Sequence, residues 1–107
     1  MNTMIKDART IIDSAIQASL PNEAVKKAIL GKNFVFDGKV IAIAIGKAAW
    51  NMAKAAAEHI PHKIDRGIVL TKYDHSQGDI TDFTILEAGH PLPDENTIRG
   101  TEKIIEA

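Results

Sequence analysis

The run VIAIAIGKAAWNMAKAAAEHI, Val40 to Ile60, decides how the chain is read. Six apolar residues lead into Gly46-Lys47, and an alanine-rich segment follows. Lys39 to Ile45 reads as a strand with both sides apolar, as in a parallel sheet covered by helices. Ala48 to His59 reads as a helix, ended by Pro61. A full positive charge then stands where a buried strand turns into a helix. That edge, beyond the carboxyl ends of the strands, is where open α/β sheets bind ligands.

On the N-terminal side, Met4, Ala8, Ile11, Ile12, Ala15 and Ile16 recur at helical spacing, with Lys6, Asp7, Arg9, Asp13 and Gln17 opposite. This predicts an amphipathic helix with one buried stripe. Pro21 interrupts it and suits a new helical start. Glu23 to Leu30 is then a short second helix, stopped by Gly31. Asp37-Gly38 marks a turn. On the C-terminal side, Gly67 to Thr71 is a second strand and Lys72 to Ile80 a polar loop. Phe83 to Ala88 is a third strand, and Pro91 and Pro93 force the chain out of it. Asp94 can cap a last helix, with Ile98, Thr101, Ile104 and Ile105 on one face. The order helix, helix, β, α, β, loop, β, α predicts an α/β fold: a Rossmann-like parallel sheet with helices on both faces. Three strands make an incomplete three-layer α/β/α domain, so residues 1–107 read as the N-terminal part of something longer.

At Gly46-Lys47, the amides at the start of the following helix and the lysine charge together suit a carboxylate or phosphate. A solvated strand-end lysine is the plainer alternative. A Walker A loop needs Gly at position 41 and Ser or Thr at 48. Ile41 and Ala48 stand there, which excludes it. A single glycine also excludes a dinucleotide fingerprint. His90, between Gly89 and a Pro-x-Pro loop, falls at the same sheet edge and can orient or protonate a ligand near neutral pH. The plainer reading is a turn histidine, with Asp94 as a simple helix cap. Lys72, Asp74 and His75 can reach a ligand from the loop after the second strand, although such loops are commonly just solvated. Glu58, His59 and His62 have near-helical spacing, but Pro61 intervenes and no further ligand cluster supports a metal site. Trp50 and Met52 read as packing residues.

Three segments, IGKAAWNMAKAAAE, GIVLTKYDH and ILEAGHPLPDENTIRGTEKIIE, resemble the N-terminal part of the glycerate 2-kinase family. These are the bacterial and archaeal ATP-dependent enzymes with a C-terminal MOFRL domain. The N-terminal ARTIIDSAI also fits, so the likeness spans nearly the whole chain. The resemblance implies two α/β domains with a cleft between them. It also implies phosphoryl transfer from ATP, with Mg²⁺, to the 2-hydroxyl of D-glycerate. It makes Lys47 the catalytic lysine of the cleft and places Gly46, Lys47, His90 and Asp94 at the substrate. His75 matches a family histidine to which no role is attached. Many relatives carry a glycine where this chain has Ala44. The Gly/Ser-rich segments expected to hold ATP, and the acidic residues expected to hold Mg²⁺, lie outside these residues. The expectation is therefore an N-terminal fragment that supplies part of the substrate cleft and is inactive alone, with no cofactor of its own.

Two alternatives stay open: a sugar-phosphate-binding domain like the sugar isomerase (SIS) domain, and a non-catalytic interaction domain. The former generally follows its GK segment with hydroxyls, where this chain has Ala48 and Ala49. The latter fits the exposed sheet edge and helix faces of an incomplete domain, through which the fragment could self-associate.

Bulk properties set the remaining bounds. The chain has 107 residues, 45% hydrophobic and 25% charged, with a net charge of −1. That charge balance argues against a sequence-blind nucleic-acid partner. The absence of cysteine excludes disulfides, thiolate metal sites and a cysteine nucleophile. No run reaches the roughly 18 apolar residues of a membrane span. The charges interleaved through the N-terminus do not read as a signal peptide. A cytoplasmic protein is expected.

Overall fold

The computed structural model describes residues 2–32 and 35–107. The elements are α1 (Thr3–Ser19), α2 (Pro21–Leu30), β1 (Ile41–Ile45), α3 (Ala49–His59), β2 (Arg66–Lys72), β3 (Phe83–Ala88) and α4 (Glu95–Glu106). The strands form one sheet of order β1-β2-β3, and both pairings are parallel. The α/β reading, the order of elements along the chain and the parallel pairing are therefore as expected. Boundaries move by a residue or two, and α2 begins at Pro21 itself, whose missing N–H costs nothing at a helix start.

β2 is the central strand, and Gly67 through Thr71 are all buried. Its alternation sends Val69 to one face and Leu70 to the other. On the first face α3 packs through Ala49 and Ala53, in a cluster with Val69 and Ile80. The small alanines let the helix approach the sheet closely. The β2–β3 loop crosses on this same side. Ile80 anchors it, and Trp50 Nε1 donates to the Gly78 carbonyl at 2.8 Å. On the second face α4 lies over β3 and β2. Gly100 sits directly on Leu70, because a Cβ there would come within 2.5 Å of Leu70 Cδ1. Helices thus cover both faces of β2.

Three packing expectations are corrected. The apolar stripe of α1 is not buried: Met4, Ile11, Ile12 and Ile16 are exposed, because α1 packs on α2. α4 does not pack through Ile98 and Ile105, which are exposed. Its sheet-facing residues are Thr97, Gly100 and Ile104, selected by the close approach at Gly100. β1 is covered on one face only. Ala42 and Ala44 turn to the α3 side. Ile41, Ile43 and Ile45 share the face of Leu70 but lie beyond α4, and are 46%, 47% and 63% exposed. No helix among the described residues is long and apolar enough to cross a membrane.

Candidate functional site

Three chain segments meet at the carboxyl edge of the sheet. The first is the β1–α3 turn. Gly46 has φ +114°, a conformation that a side chain would strain, and its N–H donates to the Leu70 carbonyl at 3.0 Å. Its carbonyl accepts from the Ala49 N–H at 3.1 Å, so Lys47 is held in a tight turn. Ala48 offers α3 no side-chain cap. The second segment is the exit of β2, Lys72 to His75. Tyr73 N–H donates to the Ala88 carbonyl at 3.2 Å, and the His75 ring Nδ1 lies 3.1 Å from the Lys47 carbonyl. The third is the β3–α4 loop. Gly89 has no room for a Cβ, which would fall 2.5 Å from the Leu92 carbonyl oxygen. The His90–Pro91 peptide that follows is cis.

Between these segments lies a cavity of about 180 Å³, lined among others by Gly46, Lys47, Lys72, Gly89, His90 and Thr97. Lys47 and His90, far apart in sequence, therefore share one site. Among the described residues, no acidic one lines it. The ion pairs among the described residues involve neither Lys47 nor Lys72. Two lysines thus line the cavity without an ion-pair partner of their own.

Asp94 stands outside that lining. Its carboxylate caps α4, accepting from the Thr97 N–H at 3.1 Å and from the Thr97 hydroxyl at 3.3 Å. It also accepts from the Tyr73 hydroxyl at 2.7 Å, while Asn96 Nδ2 donates to the Tyr73 oxygen at 2.8 Å. The Tyr73 hydroxyl is the chief cause that holds the Asp94 carboxyl below the usual carboxylate range, with backbone donors at Gly89 and Thr97 adding to it. Conversely, the bond to Asp94 raises the Tyr73 phenol above its ordinary value. Tyr73 and Asp94 thereby fasten the β2 exit to the β3–α4 loop. Sequence reasoning missed Tyr73. Its position in TKYDH, one residue past a strand, is the only signal that could have found it.

Two further groups complete the site. Lys72, at the end of β2, is half-buried on the face of Leu70. Thr71 is 3% exposed, and its hydroxyl has no hydrogen-bond partner among the described residues. Strand alternation turns that hydroxyl to the α3 side. His59 and His62 are remote from the cavity. Among the described residues no group of three or more His, Asp or Glu is arranged to hold a metal ion.

ATP and Mg²⁺ do not fit the residues present. A cavity of about 180 Å³ lies below the roughly 300 Å³ at which clefts begin to hold drug-sized ligands. Nor does it offer a hydroxyl after Lys47 or an acidic cluster.

The chain is similar to curated proteins of known name. Over 101 residues it is 50% identical to D-glycerate 2-kinase of Thermotoga maritima, covering 94% of this chain and 24% of that protein. It is 35% identical to glycerate 2-kinase of Pyrococcus horikoshii, covering 89% of this chain and 23% of that one. A third relative, from Agrobacterium vitis, is provisionally named a hydroxypyruvate reductase; it is 37% identical over 92% of this chain and 22% of its own length. The crystal structure of a glycerate kinase from Thermotoga maritima superposes with a TM-score of 0.87 at 49% identity. That match covers 97% of this chain and 24% of the solved one. The chain thus spans about a quarter of the length of these relatives. Residues 7–107 match the family described as a domain of unknown function, DUF4147. With nearly the whole chain inside that match, the protein belongs to the DUF4147 family.

Proposed function

We propose that this chain supplies part of the substrate cleft of an ATP-dependent D-glycerate 2-kinase. The observation that carries this reading is the meeting of Lys47 and His90 in one small, acid-free cavity at the carboxyl edge of the sheet. Its size suits a three-carbon acid. In this reading Lys47 holds the glycerate carboxylate or the phosphoryl group in transfer. Phosphoryl transfer depends mainly on positioning and on neutralising charge, so a preorganised cation is the useful contribution. Gly46 and His90 form the cavity wall, and His90 orients the acid. Asp94 acts at one remove, holding the loop that carries His90. ATP and Mg²⁺ would be held by polypeptide other than these residues, and the fragment alone is inactive. A cytoplasmic location accords with a cysteine-free sequence.

The uncovered isoleucine face of β1 belongs to the same reading. β1, β2 and β3 are linked on the α3 side, whereas α4 lies on the other. A further parallel strand reached from α4 by a right-handed connection would return past β2 to the outer edge of β1. Polypeptide added there would cover Ile41, Ile43 and Ile45 and complete the domain. In its absence, the same face promotes self-association.

A chimera tests both parts. Residues 7–107 replace the matching quarter of the Thermotoga maritima enzyme, and ATP-dependent phosphorylation of D-glycerate is assayed. Activity is expected. Lys47→Ala should lower kcat/KM at least about tenfold, a charge-assisted contact being worth roughly 1.5–3 kcal/mol. A folded chimera without activity, or an unchanged Lys47→Ala variant, would remove the reading. NADH-linked reduction of hydroxypyruvate by that chimera would replace it.

A further inference from the structure

We infer that Lys72 is a second anion-binding residue of this cavity, and that Lys47 and Lys72 together select a dianionic phosphoryl group over a single carboxylate. The inference deepens the proposed function and rests on the cavity being the ligand site. Lys72 is the last residue of β2, in register with Ala88 and on the same sheet face as Leu70. It is half-buried and lines the cavity with Lys47. Among the described residues Lys72 takes part in no ion pair. Asp94 is taken up by Tyr73 and Thr97. Glu87 alternates to the opposite face of the sheet, where it accepts from the Ser76 N–H at 3.2 Å.

Two lysines on the lining of one cavity of about 180 Å³ offer an anion two positive charges. A monoanion leaves one of them uncompensated. A phosphate monoester, carrying close to two negative charges at neutral pH, matches both. The same group can arrive on the phosphorylated acid, or as the terminal phosphoryl of a nucleotide whose remaining atoms lie outside this cavity.

The test is a titration of the chain itself at pH 8, followed through the backbone amide resonances of Gly46, Lys47, Lys72 and Gly89. Inorganic phosphate should bind about tenfold more tightly than acetate. Lys72→Gln should cost phosphate about tenfold and acetate little, bringing the two affinities together. Lys72→Arg should restore the gap. Lys47→Gln should weaken both ions. Equal losses for the two ions on Lys72→Gln, or no loss of phosphate, would overturn the inference. Neither outcome touches the kinase reading, which the chimera decides separately. Phosphate preference in a chimera without kinase activity would leave the dianion site standing alone. If no anion shifts these amides, the inference fails. Separate titrations with 2-phosphoglycerate and with ATP show which molecule carries the group, and binding of either supports the site.

Discussion

Gly67 supports the most decisive test of the packing. It is the second residue of β2, and the Phe83 ring of β3 lies flat against its α-carbon. A Cβ at position 67 would fall 2.4, 2.5 and 2.6 Å from Phe83 Cδ2, Cγ and Cε2. Carbon atoms prefer about 3.5–4.0 Å, so the ring would have to retreat by about 1 Å. Phe83 packs against the α3-side core, which limits that movement. Overpacking of this kind costs about 1–3 kcal/mol. Gly→Ala returns about 0.4–1 kcal/mol by restricting the unfolded chain. The clash wins, and Gly67→Ala should lose about 1–2 kcal/mol. For a domain of this size that is a fall in Tm of roughly 4–15 °C. Thermal and urea denaturation of Gly67→Ala, Phe83→Leu and the double variant measure it. With the flat ring removed, alanine at 67 should be close to neutral. Anion binding should survive, because Gly67 lies five residues from Lys72, roughly 17 Å along the strand. An equal loss in both backgrounds, or a stabilised single variant, would refute the reasoning.

Three further outcomes are expected. Thr71→Val replaces an unpartnered buried hydroxyl with a methyl group of similar shape and should stabilise the fold by up to about 1 kcal/mol in urea denaturation. A clear loss would reveal a partner for the hydroxyl. Val69→Ala, at a fully buried central position, should cost about 2 kcal/mol, whereas Ile43→Thr on the exposed face should stay within about 0.5 kcal/mol while reducing self-association measured by sedimentation. The Tyr73–Asp94 pair should show opposite pH signs. The lowered carboxyl gives stability that is present above the unfolded carboxylate range and lost as pH falls through the folded pKa, below about pH 4. The raised phenol gives stability that is present below about pH 10 and lost as pH rises through the folded pKa. Phenolate absorbance should therefore titrate above the ordinary tyrosine value, and Asp94→Asn should bring that midpoint back down.

Much of this architecture is local chemistry and can be read along the chain. The run ending at Ile45 reads as a strand and Pro61 as a helix stop, because apolar patterning and the missing proline N–H act over a few residues. The parallel order followed from the alternation of elements, since adjacent parallel strands need long crossovers. Gly46, Lys47 and His90 were legible for the same reason: all follow strands, and strand ends of a parallel sheet gather on one edge.

Which faces were covered could not be read that way. The isoleucines of α1 and β1 are as apolar as those of a core, and periodicity says only that they could be buried. Whether anything lies over them depends on where α2 and α4 dock. The α4 contact was set by Gly100 against Leu70, a close approach that no hydrophobic pattern announces. The partnership of Tyr73 with Asp94 joins residues 21 apart through a single hydroxyl. The charge state of the cavity likewise depends on which carboxylates the fold carries elsewhere. The sequence by itself determined the elements, their parallel order and the edge at which the lysine stands. The tertiary structure alone decided what each face meets, because burial and ion pairing are properties of neighbours brought together from distant parts of the chain.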